Sequence, residues 1–138
     1  MFIDASVIVA ILAREQGYEE IEKRLVDRQG PFFVSPLVKF EASAALARQK
    51  SAKRKPTPRL MRQAWKAVEA FVEDIAADEV SISPEIGQWA LEASATYGKA
   101  IGHVADLNFG DCFAYACAKA LNVPLLYKGR DFVHTDLG

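Results

Sequence analysis

The sequence predicts an α/β protein, a mostly parallel sheet covered by helices on both faces, in one domain spanning residues 1–138. Short apolar runs of strand length alternate along it with longer stretches of helical periodicity, the pattern of successive βα units. Two such runs, Phe32-Phe33-Val34 and Val80-Ser81-Ile82, lead into Ser-Pro, a helix N-cap with proline at the first helical position. Acidic residues also stand just beyond the first and last runs, where open parallel sheets place their ligand crevice.

The first strand is Met1 to Ile3, and it passes through Asp4 into a helix ending near Leu12. A second helix, about Tyr18 to Arg28, has Ile21 and Leu25 on one face, and Gly30-Pro31 ends it. After the strand Phe32–Val34, the cap Ser35-Pro36 opens a helix to about Gln49. Lys53 to Pro58 reads as an exposed loop, because its charges and two prolines break the periodicity. A helix from about Pro58 to Ile75 places Leu60, Ala64, Val68, Phe71 and Val72 at helical spacing. The strand Val80–Ile82 follows, and Ser83-Pro84 starts a helix to about Tyr97. Gly98 to Gly110 reads as irregular, Asp111 to Leu121 as helix, Val123 to Tyr127 as strand, and the end as loop.

The 138 residues, 51% hydrophobic and 25% charged, suffice for a real core and argue against disorder. A net charge of −1 conceals an uneven distribution: between Glu41 and Glu69 there is no acid but eight bases, from Arg48 to Lys66. Only nine of the 17 bases are left to face the 18 acids elsewhere, so one basic patch suits a polyanionic partner. The uncharged run Ala5 to Ala13 lacks a positive flank and is well short of the roughly 18 residues that span a bilayer. A cytoplasmic location without membrane attachment is expected. Cys112 and Cys117, five residues apart, would stand about 140° apart on a helix, which suits core packing rather than a disulfide or a shared metal.

Four acids set against apolar sequence carry the chemistry: Asp4, Glu41, Asp111 and Asp131. Each also has a structural alternative. Asp4 can cap the helix after it, and Glu41 can pair with Arg48 or Lys39. Asp111 fits the third position of a capping box opened by Asn108, and Asp131 fits a loop acid. Asp106 and Asp136 read as loop residues, with Asp136 the fallback for the fourth position. Taken together, convergent carboxylates need a cation, and oxygen-only ligands suit Mg²⁺ or Mn²⁺. Such an ion polarises a phosphate and activates water for in-line attack. His103 and His134 lack zinc-type spacing. An aspartyl-phosphate enzyme is disfavoured, because Asp4 is followed by Ala5-Ser6 rather than by a second aspartate two residues on, and a receiver domain would need paired early acids.

Asp4-Ala5-Ser6 after a short strand, Glu41 in mid-helix, Phe109-Gly110-Asp111-Cys112 and Gly129-Arg130-Asp131-Phe132 together resemble the PIN-domain ribonucleases, and within them the VapC-type toxins. The resemblance covers essentially the whole chain. It implies a three-layer α/β/α fold whose parallel sheet gathers the acids at one end, with Mg²⁺- or Mn²⁺-dependent hydrolysis of RNA. It makes Asp4, Glu41 and Asp111 the main metal-site acids, Asp131 the fourth and Ser6 a support; on this reading Asp4 and Asp111 anchor the metal while Glu41 orients or deprotonates the attacking water. It also implies a homodimer and a small inhibitory antitoxin. Arg130 stands where the family commonly has asparagine. It either pairs with Asp131 or, with Lys128, contacts RNA. The alternative is a non-catalytic PIN-like module that binds RNA or protein.

Overall fold

A computed structural model describes residues 1–138. In chain order its elements are β1 (Phe2–Ile3), α1 (Ala5–Leu12), α2 (Tyr18–Arg28), β2 (Phe33–Val34), α3 (Pro36–Ser51), α4 (Pro58–Asp74), β3 (Asp78–Glu79), α5 (Pro84–Tyr97), α6 (Phe109–Leu121) and β4 (Leu125–Leu126), with a 3₁₀ turn at Lys99–Ile101. The predicted alternation is therefore present. The anticipated Ser-Pro caps also form: Ser35 Oγ accepts from the Val38 N–H at 3.2 Å, and Ser83 Oγ from the Ile86 N–H at 3.2 Å.

All four strands are parallel, in the order β3-β2-β1-β4. Neighbouring residues of a strand point to opposite faces. Phe2 and Ile3 are both 0% exposed, so both faces of the sheet are covered at β1, giving a three-layer α/β/α sandwich. The edge strand β3 has both residues exposed. The third strand lies two residues before the predicted Val80–Ile82, because ladder pairing with Phe33 and Val34, rather than apolar character, defines it. The helix expected from Asp111 starts at Phe109, since Asn108 caps it and makes Asp111 its third residue. The last strand shrinks from Val123–Tyr127 to Leu125–Leu126, the only two residues in register with β1.

The chain runs from β1 outward to β2 and β3, then returns to the other side of β1 as β4. That reversal creates a topological switch point between the carboxyl ends of β1 and β4, where a crevice opens in sheets of this kind. Asp4 follows β1 directly, and its N–H continues the pairing to Leu126 O at 2.9 Å. One core cluster of 30 buried residues surrounds β1, and a small second one, Leu46, Ala47 and Ala64, lies between α3 and α4. Cys112 and Cys117 are free and buried, as expected of core residues. No helix is long and apolar enough to cross a membrane.

Phe2, fully buried in the central strand, sets the packing beneath the crevice. Phe2→Ala is expected to lower the unfolding free energy by about 3–5 kcal/mol, measured by urea denaturation followed by circular dichroism.

Candidate active site

Asp4 is the one charged residue among the buried ones, 6% exposed at the end of β1. As N-cap of α1, its Oδ2 accepts from the Ser6 N–H at 2.9 Å and from the Ser6 Oγ–H at 2.5 Å. Ser6 Oγ in turn accepts from the Lys128 N–H at 2.9 Å, so the loop after β4 is tied through one hydroxyl to the acid after β1. The capping role foreseen for Asp4 exists, and both bonds fall on one oxygen. Burial holds the Asp4 carboxyl above the usual range, against the lowering by Ser6, with the Asp131 charge adding to the rise.

Asp111 has the same double character. The capping box is complete: Asn108 Oδ1 accepts from the Asp111 N–H at 3.1 Å, and Asp111 Oδ2 accepts from the Asn108 N–H at 2.9 Å. The box occupies Oδ2 and leaves Oδ1 outside it. Burial raises Asp111 to about 6, opposed by the Asn108 bond and reinforced by the charges of Asp4, Asp131 and Asp106.

Glu41, midway along α3, forms none of the ion pairs considered for it. Lys39 is taken by Glu69 at 2.8 Å and Glu79 at 2.7 Å, and Arg48 has no ion-pair partner. Burial pushes Glu41 up to about 7, the charges of Asp4 and Asp111 add to that, and Arg48 opposes it. The Glu41 carboxyl lies flat against the first turn of α6. A methyl added at Gly110 would stand 1.9 Å from Glu41 Oε1 and 2.4 Å from Oε2. Gly110 is thus the space in which Glu41 sits, a requirement that sequence spacing did not reveal although the glycine lies in the quoted motif.

Asp131 stands in the turn after β4, exposed, and its charge reaches both Asp4 and Asp111. Gly129, at φ +101°, permits the turn, and Phe132, 1% exposed against Tyr127, anchors it. Arg130 is exposed and makes no ion pair with Asp131. Asp136, the fallback for the fourth position, is engaged by other side chains. It accepts from Tyr115 Oη at 2.7 Å and from Lys119 Nζ at 2.8 Å, and these bonds hold its pKa low. The ammonium of Lys128, proposed with Arg130 as an RNA contact, is bound to Glu15, which also accepts from Gln49 Nε2 at 2.7 Å. Glu15 carried no signal in the sequence, because it lies in the turn between α1 and α2. His103 is turned to the backbone, with Nδ1 accepting from the Ala105 N–H at 3.0 Å.

Asp4, Glu41, Asp111 and Asp131 form no salt bridge, and no three acid, imidazole or thiol side chains come together tightly enough to enclose an ion by themselves. The donor set nonetheless fits a hard divalent cation. All donors are carboxylate oxygens without a cationic partner, and those of Asp4, Glu41 and Asp111 are raised by burial and by neighbouring acids. Mg²⁺ typically takes one or two protein carboxylates and fills its shell with water and substrate phosphate.

The PIN domain family matches residues 1–137. A VapC ribonuclease of Rhizobium meliloti (strain 1021) is 51% identical over 140 aligned positions, covering 99% of each chain. Ribonuclease VapC42 of Mycobacterium tuberculosis (strain H37Rv) is 31% identical, covering 99% of this chain and 96% of its own. Among solved structures, VapC20 of Mycobacterium tuberculosis, described as a sarcin–ricin loop cleaving toxin, superposes with a TM-score of 0.67 at 18% identity. That likeness covers 96% of this chain and 92% of the other, and it concerns the fold.

Two expectations follow from this geometry. A carboxyl whose pKa is raised on folding stabilises the protein when protonated. That contribution is complete below the unfolded value of 4.5 for Glu41 and is lost as pH rises through about 7. In metal-free buffer, urea stability should therefore decline between those limits, and Glu41→Gln should flatten the decline. Gly110→Ala should drive the Glu41 carboxyl out of its space. Its carbon-detected NMR titration should then move down from about 7 toward the solvent range, and overpacking should destabilise the protein by about 1–3 kcal/mol.

Proposed function

This chain belongs to the PIN-domain family and, within it, to the VapC ribonucleases, and from that premise we propose that it is a divalent-metal-dependent endoribonuclease, the toxin of a toxin–antitoxin pair. The observation that carries the reading is the set of carboxylates at the switch point, raised by burial and mutual repulsion with no ion pair among them. Asp4 and Asp111 would hold Mg²⁺ or Mn²⁺. The ion, when bound, supplies Lewis-acid polarisation of the RNA phosphodiester.

The remaining chemistry belongs to the chain. Glu41, beside Asp4 and Asp111 and without an ion-pair partner, is placed to accept a proton from the attacking water. Ser6 fixes the Asp4 carboxylate by donating to it, and the Lys128 N–H fixes Ser6. Asp131, at the exposed rim, adds negative charge that draws the cation in, and Arg130 beside it is free to meet RNA phosphate. The chain acts as one domain, in the cytoplasm, without a membrane partner. Its proposed partners are the RNA substrate, a second copy of itself and a cognate antitoxin.

The alternative, a non-catalytic PIN-like module that binds RNA or protein, would be favoured by loss of an acid, and all four stand in the sequence. Asp4→Asn and Asp111→Asn should each reduce Mn²⁺-dependent cleavage of a panel of structured RNAs by at least about a hundredfold, with an unchanged circular dichroism spectrum. Calorimetric titration with Mn²⁺ should show binding to the parent and its loss in Asp111→Asn. A well-folded Asp4→Asn protein that cleaves as fast as its parent refutes the assignment.

A further inference from the structure

Beside Glu41 a cleft of about 580 Å³ opens between α1 and α3, a volume suited to a small-molecule-sized group. Its apolar lining comes from Ala5 and Val9 of α1 with Ala44 and Ala45 of α3, and Glu41 itself also lines it. Phe40, 67% exposed, stands at the mouth. Two cations line the cleft, Lys128 and Arg48. Lys128 is committed to Glu15, whereas Arg48 has no acidic partner. Arg48 lies seven residues past Glu41 on the same helix, two turns and about 10 Å along the axis. The acid end and the guanidinium end of the cleft are thus separated by a span that one flanking nucleotide, with its phosphate, can bridge.

We propose that this cleft is a substrate subsite for the nucleotide next to the scissile phosphate of single-stranded RNA, with the base on the apolar lining beside Phe40 and the flanking phosphate on Arg48. The inference rests on the ribonuclease reading and adds a binding residue outside the acid cluster. Charge selects the occupant. A free guanidinium pairs with phosphate through two parallel hydrogen bonds, which a lysine ammonium does not reproduce. Exposed aromatic rings beside a cation are the usual platform for unpaired bases, which stack without demanding a particular sequence. The reading also gives one member of the basic run from Arg48 to Lys66 a definite task.

The test compares Arg48→Ala, Arg48→Lys and, as a control in exposed α2, Lys23→Ala. Each is assayed by steady-state cleavage of a single-stranded oligoribonucleotide that the parent cuts. Binding of the same RNA is measured by fluorescence anisotropy in an Asp4→Asn background. Arg48→Ala should raise KM about tenfold with kcat within about twofold. It should also reduce the slope of log K against log salt by about 0.7, the loss of one phosphate contact on a single strand. Arg48→Lys should recover part of the affinity, and Lys23→Ala should change neither quantity. Removing the flanking nucleotide from the RNA should abolish the difference between parent and Arg48→Ala. Unchanged KM and salt slope in Arg48→Ala overturn the subsite, as does an effect matched by Lys23→Ala or one confined to kcat. Unchanged RNA kinetics with lost binding of a poly-glutamate peptide would assign the cleft to a protein segment instead. If the parent cuts no RNA and Asp4→Asn binds none, the ribonuclease reading fails and takes the subsite with it.

Discussion

Burying the Asp4 carboxylate at the end of the central strand is the constraint on which the rest of the site depends. Asp4 is the only charged residue in the buried set, with a strand on one side and a helix start on the other. An isolated charge in such a place is costly, so what is available locally must compensate it. The first turn of α1 supplies two donors through Ser6, and the loop after β4 supplies a third indirectly through the Lys128 N–H. The same bonds that make the charge tolerable also fasten β1 to β4 at the point where the sheet reverses its order. The placement of the Asp4 carboxyl and the closure of the sheet thus share one hydroxyl.

The other acids repeat this economy. Asp111 opens α6 with one oxygen on the Asn108 N–H, so its position is fixed by helix capping before any ligand arrives. Glu41 has no such bond and is held by shape, in the space left by the missing side chain of Gly110. The two mechanisms differ in consequence. Capping lowers the pKa of Asp111 while burial raises it, and Glu41, held by shape alone, reaches the higher value of about 7. A graded set of carboxyls results from elements that serve the fold in their own right.

Much of this was legible in the sequence, and the reasons are local. Ser35-Pro36 and Ser83-Pro84 announced helix starts because capping is a contact between near neighbours. Asp4 and Asp111 stood out because an acid against apolar sequence is rare and short-range. What escaped was set by contacts between distant segments. The third strand was placed at Val80–Ile82 on apolar character, whereas pairing with β2 selected Asp78–Glu79, two exposed acids at the sheet edge. The pairing of Lys128 with Glu15 was hidden because Glu15 lies in a turn far away along the chain. The bonds of Asp136 to Tyr115 and Lys119 were hidden for the same reason, since α6 brings those partners to it.

The distribution of charge would link the proposed metal to RNA. At the centre the carboxylates resist ionisation and repel one another, and a phosphodiester approaching them meets the same repulsion. The bases that would relieve it are elsewhere: Lys39 is bound to Glu69 and Glu79, and Lys128 to Glu15. Arg48 reaches the cleft unpaired, but two helical turns from Glu41 it cannot neutralise the acids, and its effect on Glu41 is the smallest of the four that act there. Each isolated half of the catalytic assembly is therefore electrostatically incomplete. A cation bound at the acids would remove the barrier to the phosphate, and the phosphate would complete the coordination shell that the carboxylates leave open. Metal and RNA should consequently bind with positive coupling, since each supplies the charge the other lacks, and by linkage the coupling must be equal in both directions.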